Sequence, residues 1–225
     1  MTEIQFNEIK EKLSKCCEER HLTYENQQAE FLGNVFEKVS EYFRAKDDLE
    51  RVKALCDIAV FCFNAFDIID FDYYCEFCSD NENIEIYNLT DEISEVCYKV
   101  IKKLYVKTSI PRIISYCQYL CKNLGFDFYK CMLEKIKEIE SRTGFYDERL
   151  KKFVDTICAF SKDEALSNVS KDFGFLGNSI IYKLTQEDKN FWFITCKEIE
   201  TNLQIDYKVK KIYKADYKSC RLKKC

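Results

Sequence analysis

Asp57 and Asn64 are the only polar side chains in ALCDIAVFCFNAF, residues 54–66, and they lie seven residues apart. On a helix that spacing puts both on one stripe, about two turns apart. A carboxylate on a helix otherwise apolar nearly all round is costly unless it is paired, hydrogen-bonded or holding a cation. A hairpin pivoting at Leu49 sets Glu41, eight residues before it, opposite Asp57, eight residues after it. Glu37 stands one turn before Glu41 and Glu50 two turns before Asp57, so four acidic groups line one groove. Carboxylates 4 Å apart repel by about 4 kcal/mol at an effective dielectric near 20, which favours a divalent cation between them. An all-oxygen donor set points to Mg²⁺, or Mn²⁺, rather than zinc. The competing reading of Asp57 is a buried acid satisfied by a lysine, for which Lys38, close to Glu41, is at hand. Asn64 serves equally well as a ligand or as a buried amide bonded to nearby backbone.

The elements that must position these groups are helical. Ile4, Ile9, Leu13 and Cys16 recur at helical spacing over residues 1–22. Phe31, Leu32, Val35, Phe36, Val39 and Phe43 do so over 29–44, where Lys46-Asp47-Asp48 interrupts the pattern. Residues 49–69 resume it as a central helix, and 93–105, 111–124 and 128–140 read as three more, with Gly125 as a C-cap. Residues 79–90 are polar and read as a loop. Beyond Phe153 the texture changes, and SIIYKL, TQEDKN and FWFITCKEI read as a β-hairpin around a polar turn. The fold expected is therefore mostly α: a helical bundle over 1–153, an insertion with a β-hairpin over 154–208, and a segment returning to the core over 209–225. One proline and five glycines leave little material for linkers or for an all-β sandwich.

Composition narrows the function. Thirty-five basic against thirty-nine acidic residues give a net charge of −4, which supplies no global field for a nucleic-acid polymer. No apolar run is long enough for a membrane span, and the charged N-terminus MTEIQFNEIKEKL lacks a signal-peptide core, so a reducing cytoplasm is expected. Most of the fourteen cysteines sit among apolar residues and read as small core hydrophobes. Cys75 and Cys78 form the only CxxC, with Cys117 and Cys121 poorly spaced to complete a zinc knuckle. A lone His21 leaves little room for a triad. Neither GxxxxGK[ST] nor GxGxxG occurs.

The segment FLGNVFEKVSEYFRAKDDLERVKALCDIAVFCFNAF resembles the acidic helix, short turn and acidic helix of the all-α nucleoside triphosphate pyrophosphohydrolases of the MazG-like superfamily. The resemblance puts Glu41 on the second Glu of the family's ExxE motif and Asp57 on the Asp of its ExxD, with Lys38 and Ala54 standing where the other two carboxylates would be. EKIKEIESRTGFYDERLKKF (134–153) and IYKADYKSC (212–220) are similar to the closing segment of phage and bacterial members, so that the similar stretches cover roughly half the chain. What the resemblance implies is a Mg²⁺-dependent hydrolase splitting a nucleoside triphosphate into monophosphate and pyrophosphate. Glu41 and Asp57 would be catalytic, and Glu37, Glu41, Glu50 and Asp57 would hold the metal. Asn64, Lys135, Arg142 and Lys214 would contact the substrate, with Tyr146 and Tyr217 stacking on the base. It also implies a homo-oligomer, a dimer or tetramer. The alternative is a catalytically degenerate relative that binds nucleotide or a helical partner.

Overall fold

The computed structural model describes residues 1–67, 71–78, 84–150, 152–173, 180–199 and 202–223. The chain divides into two compact units, Met1–Ile136 with Ala215–Cys225, and Lys137–Lys214. The change of texture in the sequence lies later, at 153, and the segment rejoining the first unit begins at 215 rather than 209.

The first unit is helical, and side chains that satisfy the free N–H groups fix where its helices begin. Thr2 caps α1 (Glu3–Glu19), accepting from Gln5 N at 3.3 Å while the Gln5 amide side chain accepts from Thr2 N at 2.9 Å. Thr23 caps α2 (Tyr24–Arg44) and Asp47 caps α3 (Asp48–Ala65). The short turn between them makes α2 and α3 antiparallel neighbours. Then come α4 (Phe71–Cys78), α5 (Ile86–Ile101), α6 (Ser109–Asn123) and α7 (Phe128–Ser141), the last crossing from the first unit into the second. Gly125, at φ +83°, ends α6 in the left-handed conformation that glycine adopts without strain. A 3-10 turn, Tyr217–Cys220, returns against this corner: Asp127 N donates to Cys220 O and Leu222 N to Gly125 O, both at 2.9 Å.

The central position of α3 is as the sequence predicts, with Val52 and Leu55–Val60 all buried. The stripes of α1 and α2 differ from expectation. Phe6, Ile9, Leu13 and Cys16 are the buried set of α1, and Ile4 is 81% exposed. On α2, Phe31 and Val35 are buried while Phe36 and Phe43 face outward. Part of the 79–90 loop, residues 79–83, lies outside the described residues, and α5 already begins at Ile86.

The second unit opens with an antiparallel pair, β1 (Gly144–Asp147) and β2 (Lys152–Asp155). A four-stranded sheet follows, with β3 (Cys158–Ala159), α8 (Lys162–Phe173), β4 (Ile180–Glu187), β5 (Phe191–Glu198) and β6 (Gln204–Lys211) in spatial order β3-β6-β5-β4. The expected hairpin is β4–β5, turned at Asp188, whose side chain accepts from Asn190 N and Phe191 N, both at 2.7 Å. The strand β6 extends the hairpin into a meander across the boundary expected at 208. Alternation decides the faces: Trp192, Ile194, Cys196 and Val209 point into a core with Ala165 and Val169 of α8.

Among the described residues Cys17, Cys56, Cys62, Cys97, Cys117, Cys121, Cys131, Cys158, Cys196 and Cys220 are free thiols. Cys75 is exposed, whereas Cys56, Cys62, Cys117, Cys121 and Cys131 are buried, and the side chain of Cys78 lies outside the described residues. Burial pushes the Cys56 and Cys117 thiols far above the ordinary cysteine range, which suppresses the reactive thiolate. Alkylation of the native protein near pH 8, read by peptide mass spectrometry, is expected to label Cys75 first and to leave Cys56 and Cys117 unlabelled until denaturant is added. Labelling of all these sites at one rate would contradict the packing described.

Candidate functional site

Asp57 is 5% exposed in the middle of α3, and its Oδ1 lies 2.6 Å from Nζ of Lys135 on α7. Lys135 is there because of its place in its own helix. Phe128, Cys131, Met132 and Ile136 form the buried stripe of α7, and position 135 falls inside that stripe. The one carboxylate in the buried centre of α3 thus meets a lysine that the phase of α7 has turned inward.

Lys38 arrives in the same way from α2. Phe31, Val35 and position 38 follow the spacing of the buried face of α2, and the side chain of Lys38 is only 16% exposed. Its Nζ is 2.7 Å from Glu41 Oε1 and 3.6 Å from Glu37 Oε1. Burial pulls the Lys38 ammonium down, but the hydrogen bond to Glu41 and the charges of Asp57, Glu41 and Glu37 outweigh that, so its pKa stands above that of an unperturbed lysine. The sign follows directly: the stability this ammonium contributes is fully present below the usual lysine range and is lost as pH rises through its raised value.

The four predicted metal ligands therefore meet different fates. Asp57 and Glu41 each bond an ammonium, and Glu37 is 61% exposed at the edge of the same pair. Glu50 leaves the groove to accept from Lys46 N at 2.8 Å, closing the turn before α3. Glu41 stands on α2 and Asp57 on its hairpin neighbour α3, while Glu50 is in the first turn of α3, a position that favours capping. Among the described residues no group of three or more His, Cys, Asp or Glu side chains is arranged to hold a metal ion. The donor set does not fit Mg²⁺, because lysine ammonium groups already bond Asp57 and Glu41 where the cation would have to sit.

The predicted substrate contacts are divided between the two units. Lys135 is 5% exposed in its ion pair, and Tyr217 is 7% exposed in the core, where no base can lie on its ring. Asn64 lines a cavity of about 310 Å³ with Lys10, Ser14, Glu18, Tyr24 and Asp67, which Asp57 does not line. Its Oδ1 is buried and meets no hydrogen-bond donor among the described residues. Arg142, Tyr146 and Lys214 belong to the second unit. Arg142 pairs there with Glu138 at 3.4 Å and Asp155 at 3.7 Å, Tyr146 sits in β1, and Lys214 is exposed.

No family model, curated protein or solved structure matches the chain. Among the described residues no helix is long and apolar enough to cross a membrane.

Proposed function

We propose that the chain is a catalytically silent relative of the MazG-like pyrophosphohydrolases, a helical binding module that keeps the acidic helix pair and closes it with lysines instead of a metal ion. The observation that carries this reading is the double pairing, Lys38 to Glu41 at 2.7 Å and Lys135 to Asp57 at 2.6 Å. Two ammonium groups against two carboxylates satisfy the buried charge from within, so a divalent cation would have to displace a charge-assisted hydrogen bond at each carboxylate. Self-association belongs to the same proposal. Phe36 and Phe43 stand 50% and 62% exposed on the outer face of α2, a surface suited to covering by a second copy.

The test is pyrophosphate release from a panel of ribo- and deoxynucleoside triphosphates with Mg²⁺ or Mn²⁺. The wild type is expected to be silent and its melting temperature indifferent to either cation. Lys38→Glu removes the ammonium and adds a carboxylate beside Glu37, Glu41 and Asp57, so its melting temperature is expected to rise with Mg²⁺. At a hundredfold excess over Kd the gain is about 2.7 kcal/mol. Metal-dependent turnover by the wild type that Asp57→Asn abolishes would restore the hydrolase reading and end this one.

A further inference from the structure

Among the described residues of the second unit, α8 covers the sheet on the face of Trp192, Ile194 and Cys196. The other face is unusual in what it exposes, and it is independent of the helix pair discussed above. Strand pairing fixes its layout: Phe191 is opposite Lys210 and Phe193 opposite Lys208 across β5 and β6, with Gln186 flanking Phe193 and Lys183 flanking Thr195 from β4. Because Trp192, Ile194 and Cys196 point into the core, both phenylalanines and Thr195 must point away from it. Central-strand positions turned toward solvent ordinarily carry polar side chains, and here two are aromatic, with ring centroids 6.4 Å apart.

The charge on this face is concentrated and predominantly positive. Among the described strand residues Lys183, Lys197, Lys208 and Lys210 point outward, against the carboxylate of Asp206, which Thr195 Oγ1 already bonds at 2.6 Å. The chain as a whole is acidic, at −4, so the basic character is local. Lys208 Nζ lies 4.0 Å from the Phe191 centroid and 5.9 Å from that of Phe193, and Lys210 Nζ 5.8 Å from that of Phe191. A lysine resting on a half-exposed ring is weakly held, and it is free to swing to an anion when another flat surface takes the ring. A shallow depression of about 440 Å³ around Phe193 brings in the side chains of Thr185, Gln186 and Thr195 as hydrogen-bonding groups.

We propose that this open sheet face binds single-stranded nucleic acid, with bases stacking on Phe191 and Phe193 and phosphates meeting the four lysines. Rings alternating with cations on an open sheet match what unpaired bases on a charged backbone offer. A duplex keeps its base faces stacked against each other and would leave the rings unused. An acidic peptide would satisfy the lysines but brings a flat face to neither phenylalanine. Gln186 and Thr195 lie where base edges would reach them, a modest source of sequence preference.

The experiment is fluorescence anisotropy of the full chain with labelled oligo-dT, oligo-U and a duplex of equal length, over about 50 to 200 mM salt. Trp192 is the only tryptophan and faces the sheet core, so its emission reports in each variant whether the sheet is folded. Both single strands are expected to bind more tightly than the duplex. Phe193→Ala and Phe193→Leu, with Trp192 emission unchanged, are each expected to weaken binding about tenfold, because leucine keeps bulk but offers no stacking plane. Lys208→Gln is expected to reduce the slope of log affinity against log salt by about one. Lys15→Gln on α1 is expected to change nothing. The proposal fails if no binding appears at the lowest salt. It fails equally if the duplex or a polyglutamate competitor binds as well as the single strands, or if Phe193→Leu binds like the wild type while the lysine variants lose affinity, since each of these marks a surface attracting any polyanion.

Discussion

Lys135→Met is expected to lower the stability of the helical unit by about 3 kcal/mol, read as a melting-temperature drop of roughly 6 to 12 °C. The cost comes less from the lost attraction than from what remains, a carboxylate at Asp57 that is 5% exposed and no longer has its partner at 2.6 Å. Breaking one side of a buried pair typically costs about 3 to 5 kcal/mol, and the low end applies because the Lys38 charge also acts on Asp57's surroundings. The coupling is testable by a double-mutant cycle. Asp57→Leu combined with Lys135→Met removes both charges and is expected to be less destabilised than Lys135→Met alone, since two apolar groups of suitable volume need no partner. Additive losses would mean that the two side chains act separately and would undo the account of the site.

The same pair shows what was legible beforehand. Asp57 announced itself, because a carboxylate in an apolar helix must have a partner. The nature of that partner was not legible from α2 and α3 alone. It depended on the phase of a third helix, α7, in which Lys135 falls into the stripe made by Phe128, Cys131 and Met132. That signal was present in the residues as a lysine at a core position of α7, the counterpart of an aspartate at a core position of α3. The resemblance implies a substrate contact for Lys135, whereas the phase of its own helix puts it in the core. Lys38 is similar: taking Phe31, Leu32, Val35, Phe36, Val39 and Phe43 as one stripe made it too wide, and the narrower stripe of Phe31 and Val35 carries Lys38 inward.

Local pattern performed best where one residue type had one physical role. Gly125 ended α6, and the β-rich run FWFITCKEI became β5. It performed least well in the second unit, where β1, β2, β3 and α8 are too short or too mixed to show a period. Gly144 illustrates a constraint that only the structure reveals. A Cβ there would stand 2.3 Å from Val154 O and 2.5 Å from the Phe153 ring, so the β1–β2 pair closes only over a residue without a side chain.

Phe6→Ala carries the other large effect, an expected loss of about 3 to 5 kcal/mol. Phe6 is fully buried, and its ring centroid lies 5.3 Å from Phe63 on α3 and 5.6 and 5.1 Å from Phe71 and Tyr74 on α4. Truncation would open a cavity on three aromatic neighbours at once, and Tyr74, held by its hydroxyl to Gln118 on α6, is poorly placed to collapse into it. The loss should therefore be felt first where α1 meets α3 and α4, as faster amide exchange along Phe6–Cys16, before the rest of the unit opens. Phe6→Leu keeps most of the volume and is expected to cost under half as much. Ile4 supplies the contrast, since it reads as part of the same stripe yet is 81% exposed. The buried set runs Phe6, Ile9, Leu13, Cys16 in steps of three, four and three, and Ile4 lies five residues from Ile9, off that face. Ile4→Ser is expected to stay within about 0.5 kcal/mol of the wild type. A comparable loss from Ile4→Ser and Phe6→Ala in urea unfolding would mean that α1 is seated on the face its sequence suggested rather than on the one described.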